Sequence, residues 1–366
     1  MLKIVISANT SWYIYNFRKN TIVKLLEEGH SVFIVSPADA YTEKLKELGC
    51  GFFNVNISQR GMNPFTEAKT LIEYHVIYRK IRPSHILNFT PKSNIYSTFA
   101  AYLSSATIIN NIAGLGTAFI ERSKTKSIIK ILYKISQRRA KIVFFQNNDD
   151  LTQFVNDGIV HKEQTRLIPG SGVDLSRFQL NNRKTDGITK YILIARLIKE
   201  KGIAEFAQAA KILKDKYGDK VHFSLAGFVD QDNPSAVPLE LINKWHDDGV
   251  MRFLGKTDKV EDLLQNNDCV VLPSYYREGV PKSLLEAAAM GKIIVTTDNV
   301  GCREAVIDNE TGYLCEPRSV LSLTCALEKV ILMDHKAREE MGRAGRDYIS
   351  RRFDEQIVIN EYLSCL

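Results

Sequence analysis

The chain has 366 residues, 45% hydrophobic and 25% charged, the composition of an ordinary globular protein long enough for two cores. No apolar run reaches the ~18 residues of a membrane span, and the short apolar start, running directly into a strand pattern, excludes a secretory signal. The net charge of +7 is uneven: residues 1–176 carry 22 Lys+Arg against 13 Asp+Glu and residues 177–366 carry 27 against 29, so the first half is expected to face an acidic partner.

In chain order, residues 3–8, 31–36, 52–57, 85–89, 107–112 and 142–146 read as buried strands, with amphipathic stretches such as 21–28 and 67–80 between them. Glu28-Gly29-His30 closes the first helix just before a strand. The polar run 181–187 reads as a linker. Beyond it, 191–195, 221–226, 251–254, 269–272 and 293–296 repeat the same grammar. Alternating strands and helices imply parallel sheets covered on both faces. The expected fold class is therefore α/β, two tandem doubly wound, Rossmann-like domains facing a cleft. Residues 1–180 are expected to form the first domain and 181–366 the second, with the last helix, about 350–366, packing back on the first. Ligands in open parallel sheets sit beyond the carboxyl ends of the strands, so chemistry is sought in the loops that follow them.

Two such loops carry it. After strand 191–195 come Arg196 and, five residues on, Lys201, two cations suited to a diphosphate. After strand 269–272 come Pro273 and Ser274, then Glu278, Gly279, Val280, Pro281 and a helix running through Leu284, Leu285 and Glu286 to a stop at Gly291. The free N–H groups around Val280 to Ser283 would converge on one anion, with a carboxylate on either side of it.

Arg196, Lys201, the Glu278/Glu286 pair, Gly255 after strand 251–254, and Pro273-Ser274 together resemble glycosyltransferase family 4, over essentially the whole chain. The residues after the first strand, including Asn9, Tyr15, Asn16 and Arg18, and the run from Asn111 through Leu115 to Gly116 are similar to the subgroup that builds bacterial surface polysaccharides and lipid-linked oligosaccharides. The resemblance implies a retaining, nucleotide-sugar-dependent transferase of the glycosyltransferase-B fold. Arg196 and Lys201 would then hold the donor diphosphate, Glu278 the sugar hydroxyls and Glu286 the ribose. Gly255 and Lys256 would border the base, with Val280, Pro281, Lys282, Ser283 and Leu284 completing the donor site. Asn9, Tyr15, Asn16, Arg18, Lys92 and Asn111 would meet the acceptor. Two positions depart from the family: no histidine follows the fifth strand, and the first loop has Ser11 and Trp12 in place of paired glycines.

Neither metal nor cofactor is expected. Asp230 and Asp232 form a D-x-D, but inside a polar turn, and Arg196 and Lys201 already supply the charge. The six cysteines, Cys50 to Cys365, show neither C-x-x-C spacing nor neighbouring histidine, which fits a reduced cytoplasm. Between Arg122 and Lys141 the chain is basic without an acid, with isoleucines interleaved. Lys124, Lys126, Lys130 and Lys134 are therefore expected at an anionic membrane surface; no recognition motif supports nucleic acid. The expected partners are a UDP-linked nucleotide-sugar and a lipid-linked glycan of the undecaprenyl diphosphate type, met on the inner face of the cytoplasmic membrane. Two other readings remain open: a dinucleotide-dependent oxidoreductase, against which the loop 8–13 lacks G-x-G-x-x-G, and a catalytically silent nucleotide- or sugar-binding module.

Overall fold

Strands buried on both faces need apolar residues at consecutive positions, and the chain places them in parallel sheets. The structure is a computed structural model that describes residues 1–58, 63–115, 124–180, 186–230 and 233–366, with the side chains of 124–126 left out. Gly116, Arg122, the side chains of Lys124 and Lys126, linker residues 181–185 and Asp232 thus lie outside the described residues. Two compact units emerge: Met1–Ser171 with Gln356–Leu366, and Gly172–Glu355. Residues 172–180, expected with the first half, pack with the second, because Val173 bridges to Asp354 and a Cβ on Gly172 would touch Glu355.

Among the described residues, the first unit holds β1 (Lys3–Ser7), β2 (Ser31–Ser36), β3 (Gly51–Asn54), β4 (His85–Asn88), β5 (Thr107–Ile112), β6 (Ile142–Phe145) and β7 (Thr165–Leu167), all parallel in the order β3-β2-β1-β4-β5-β6-β7. Alternate strand residues feed opposite cores. Val143 and Phe145 pack under α3 (Pro64–Ile81), a π-helical turn Ser93–Ser97, α4 (Thr98–Ala100), α5 (Lys124–Gln137) and α6 (Asn148–Asn156). Ile142 and Phe144 pack under α1 (Ser11–Glu27) and α2 (Thr42–Glu47), together with the chain's last helix (Glu355–Leu363). That last helix lies with the first unit: Tyr362 is fully buried against Phe89 and Phe144, with ring centroids 5.6 and 5.2 Å away.

The second unit holds β8 (Thr189–Ile194), β9 (Val221–Ala226), β10 (Arg252–Phe253), β11 (Cys269–Leu272), β12 (Ile293–Thr297) and β13 (Gly312–Cys315), parallel in the order β10-β9-β8-β11-β12-β13. Its helices are α7 (Ile203–Tyr217), α8 (Leu239–Asp247), α9 (Val260–Gln265), α10 (Lys282–Ala289), α11 (Val320–Leu332) and α12 (His335–Arg352), which makes Glu355–Leu363 α13. In both sheets strand order reverses once, between β1 and β4 and between β8 and β11. These are the switch points where open α/β sheets bind ligands. Among the described residues no helix is long and apolar enough to cross a membrane.

Candidate active site

The second switch point is where Arg196, Lys201 and Glu278 come together. Lys201 ends a 3-10 turn, Lys199–Lys201, and Gly202 follows with φ +74°, a left-handed conformation that favours glycine. A Cβ there would also stand 2.2 Å from the Pro273 carbonyl oxygen, so only glycine lets the loop after β8 lean on the end of β11. The tyrosines of that second loop are tied back, since the N–H groups of Tyr275 and Tyr276 donate to the Glu200 carbonyl at 2.9 and 3.1 Å. Lys201, itself buried, then ion-pairs with Glu278 across the switch point. Its ammonium also sits 5.4 Å from the Tyr276 ring, and the exposed Arg196 guanidinium 6.0 Å from the same ring. Two cations beside one aromatic ring can turn toward a diphosphate at the cost of weak contacts.

Ser274, and three residues outside the sequence reading, Thr297, Asn299 and Gly301, hold this loop. The buried Ser274 hydroxyl lies 3.0 Å from Glu278 Oε1 and 3.2 Å from the Glu200 carbonyl, and accepts from the Tyr276 N–H. Asn299, after β12, donates from Nδ2 to the carbonyls of Ser274 and Tyr276 at 3.3 and 2.8 Å, and Thr297 donates to Ser274 as well. Gly301 has φ +81°, and a Cβ on it would collide with the Gly279 carbonyl oxygen at 1.7 Å. These partners come from loops 20 or more residues distant, where no local pattern marks them.

Pro281 caps α10 with extended backbone, and the helix opens at Lys282 and Ser283, whose N–H groups precede the first intrahelical bonds. Val280, Pro281 and Leu284 are buried, while Lys282 and Ser283 remain half-buried. One turn on, Glu286 is buried, and burial pushes its carboxyl above the usual range, partly offset by Lys282 and Arg177. Lys282 Nζ stands 3.9 Å from Glu286, and Arg177 ion-pairs with Glu261 beside it. At the ends of β9 and β10, Gly255 (φ +68°) accepts from the Gly227 N–H at 2.9 Å, and the exposed Lys256 ammonium lies 5.7 Å from the half-exposed Phe228 ring.

The first unit answers the acceptor expectations differently. At its switch point, the Asn9 N–H donates to Thr90 at 3.0 Å. The segment read as a loop is already helix from Ser11, because Thr10 caps it by accepting from the Tyr13 N–H. Tyr15 lies beside Tyr41 with Lys19 and Lys44 near its ring, and Asn16 bonds back to the Trp12 carbonyl. Lys92 pairs with the buried Glu67. Arg18, expected at the acceptor, is buried: its guanidinium lies 4.4 Å over Phe89 and 5.5 Å from Tyr362, and none of its side-chain nitrogens has a hydrogen-bond partner among the described residues. Asn111, also buried, donates from Nδ2 to the Tyr362 hydroxyl. Both residues meet Tyr362 of α13 and are buried, so they clamp the last helix and do not line a surface. Of the lysines expected at a membrane, Lys130 pairs with Asp157 at 2.7 Å and Lys134 is exposed. Asp230 lies after β9 in a loop, and among the described residues no three of His, Cys, Asp and Glu converge as metal ligands.

Two family models match, "Glycosyl transferase 4-like" over residues 3–147 and "Glycosyl transferases group 1" over residues 174–348. The chain is also 30% identical over 370 aligned positions, 96% of itself and 94% of the relative, to the N,N'-diacetylbacillosaminyl-diphospho-undecaprenol alpha-1,3-N-acetylgalactosaminyltransferase of Campylobacter jejuni. The protein is a glycosyltransferase of the glycosyltransferase-B fold. This transferase is similar, at 23% identity over 87% of its length and 86% of the relative's, to the capsular polysaccharide biosynthesis glycosyltransferase CapM of Staphylococcus aureus. In fold it matches sucrose-phosphate synthase of Thermosynechococcus elongatus (TM-score 0.81, 16% identity, 100% and 98% of the two chains). It likewise matches Anabaena HepE in complex with UDP and glucose (TM-score 0.79, 15% identity, 100% and 98%).

Proposed function

We propose that this glycosyltransferase is a retaining family 4 enzyme of bacterial surface polysaccharide or oligosaccharide assembly. It moves a sugar from a UDP-sugar to a glycan carried on an undecaprenyl diphosphate-type lipid, at the inner face of the cytoplasmic membrane. The observation that carries the reading is the Lys201–Glu278 ion pair at the β8/β11 switch point, beside Arg196 and ahead of α10. The lipid-diphosphate acceptor named for the Campylobacter jejuni relative and the UDP complex of the Anabaena protein support it.

On donor arrival, Lys201 and Arg196 turn to the diphosphate, and the first-turn N–H groups of α10 meet the same anion. Charge grows on the departing phosphate oxygen as the glycosidic bond breaks, so these contacts strengthen in the transition state. Glu278, released from Lys201 and steadied by Ser274, takes up sugar hydroxyls as the ring gains positive charge. Glu286 accepts from the ribose hydroxyls, and Gly255 and Lys256 border the base. The departing oxygen takes the acceptor proton on the same sugar face, which gives retention. Two lysine/arginine cations and a helix terminus supply the charge, so catalysis needs no metal.

UDP release across a panel of UDP- and GDP-sugars, with and without bacterial membrane lipid extract, tests the reading. Release from a UDP-sugar that rises with the lipid extract is expected. UDP-sugars left intact beside turnover of a GDP-sugar, or none at all, would overturn it.

A further inference from the structure

Among the described residues, 18 large apolar side chains stand exposed, and eight of them lie on three neighbouring elements that cover one face of the first unit's sheet. On α3 these are Phe65, 87% exposed, with Ile72 and Val76. On the turn after α4 they are Tyr102 and Leu103, the latter 89% exposed. On α5 they are Ile128, Ile131 and Ile135, at the three- and four-residue spacing that keeps side chains on one stripe.

Scattered exposed apolar residues are ordinary, but these are joined. His75 of α3 reaches the Ala100 carbonyl of α4 at 3.3 Å, and Arg139, just past α5, donates to the Ser104 carbonyl at 2.9 Å. The helices do not need these side chains for their own packing, since α3 buries Tyr74, Ile77 and Tyr78 and α5 turns Ile129, Leu132 and Tyr133 inward. Charge is equally one-sided. Among the described residues, the exposed charged ones of α3 are Lys69, Arg79 and Lys80, and those of α5 and the residue after it are Lys134 and Arg138. No exposed residue of α3, of the turn 102–105 or of α5 is acidic; Glu73 is half-buried and accepts from Asn56, and Glu67 is buried against Lys92.

We infer that this face of the first unit, the outer surface of α3, the turn after α4 and α5, seats in an anionic lipid monolayer, its apolar side chains entering the headgroup–acyl boundary. Apolar side chains flanked by cations suit that boundary, since Lys and Arg stems lie along the apolar zone while their heads reach anionic headgroups. A protein partner would leave five cations to be matched by acids of its own, whereas an anionic membrane supplies negative charge everywhere. The surface is broader than a basic helix alone, and part of its hold is apolar and resists salt. It extends the proposed function, because it rests on that reading for its purpose, the meeting with a lipid-linked acceptor.

The test is flotation of the purified full chain with phosphatidylcholine vesicles, with and without phosphatidylglycerol, at low and high salt. The unsubstituted protein is expected to float with the anionic vesicles and to keep a salt-resistant fraction. F65S/I72S/V76S, L103S and I128S/I131S/I135S, all exposed changes whose melting curves check folding, should each lower that fraction on the order of tenfold. K134Q/R138Q should lower only the low-salt binding. Undiminished flotation of every serine variant, or no flotation of the unsubstituted chain, overturns the proposal. So does a self-associated protein that the serine variants turn monomeric, for then a second copy covers the face. The vesicles contain no acceptor, so a chain that floats yet glycosylates no lipid-linked acceptor keeps this surface and loses the proposed acceptor. Transfer to detergent-solubilised acceptor without vesicle binding does the reverse.

Discussion

At the scale of residues, the Lys201–Glu278 pair makes unequal demands on its neighbours. Arg196 is exposed, so Arg196→Ala should leave the melting temperature unchanged and lower kcat/KM by ~10²-fold, the loss of a charge-assisted contact that tightens as the leaving group charges. Lys201→Ala should lower kcat/KM as much, but it also strips Glu278 of its cation and should cost about 1–3 kcal/mol of stability. Wild-type turnover in both variants would remove the pair from the donor site. The carboxylates divide differently. Glu286→Gln should weaken UDP binding in calorimetry, and Glu278→Gln should slow turnover with UDP affinity nearly kept, because the ribose is held alike before and after reaction while the sugar ring changes character. Equal loss of UDP affinity in both would show the roles wrongly divided. Burial raises the Glu286 carboxyl, and only its ionised form accepts two ribose hydroxyls. UDP affinity should therefore be full above that raised value and fall as pH drops through it, starting nearer neutrality than for an ordinary glutamate; Glu286→Gln should flatten the difference. The stability sign is opposite. A folded-state value above the unfolded one contributes stability at pH below the unfolded value that is lost as pH rises through the folded one. Glu286→Gln should thus melt slightly higher than the parent at neutral pH. The convergence of Arg196, Lys201 and Glu278 was legible because each follows a strand in a loop with glycine or proline punctuation. The hold of Thr297 and Asn299 on that loop was not, since it acts on residues that only the fold brings near.

At the scale of elements, length decided what the sequence revealed. Strands with four or more consecutive apolar residues, such as β2 and β11, can be read directly, whereas β7 (Thr165–Leu167) and β13 (Gly312–Cys315) are short edge strands without such a run. The aromatic run at the start of α1 hid its first turns, and with them the fact that Arg18 faces inward. Burial of a cation between two rings predicts that Arg18→Met, similar in reach and apolar, keeps both fold and transfer activity, while Arg18→Ala loosens α13 and lowers the melting temperature by opening a cavity. A folded Arg18→Met variant unable to use the acceptor would return Arg18 to the acceptor site. Gly202→Ala would press a methyl group on the Pro273 carbonyl and displace Lys201, so kcat/KM should fall with Lys201 intact in sequence. Unchanged kinetics would show that this close approach does not position the pair.

At the scale of the whole molecule, the two units are each a doubly wound sheet with its own switch point. The charge excess of the first unit's half of the sequence accompanies an acid-free apolar face, and the residues proposed to hold the donor all lie in the second. Metal independence belongs at this scale: transfer should survive EDTA, and activity abolished by chelator and restored by Mg²⁺ or Mn²⁺ would overturn the cation-pair mechanism. The most direct test of the central claim is the anomeric configuration of the product, read by NMR, when the purified protein is given its UDP-sugar, EDTA and a lipid diphosphate-linked acceptor. We predict an α-linked product from an α-linked UDP-sugar, formed with equimolar UDP and ~10²-fold more slowly by Lys201→Ala; a β-linked product, or transfer undiminished by that substitution, would contradict it.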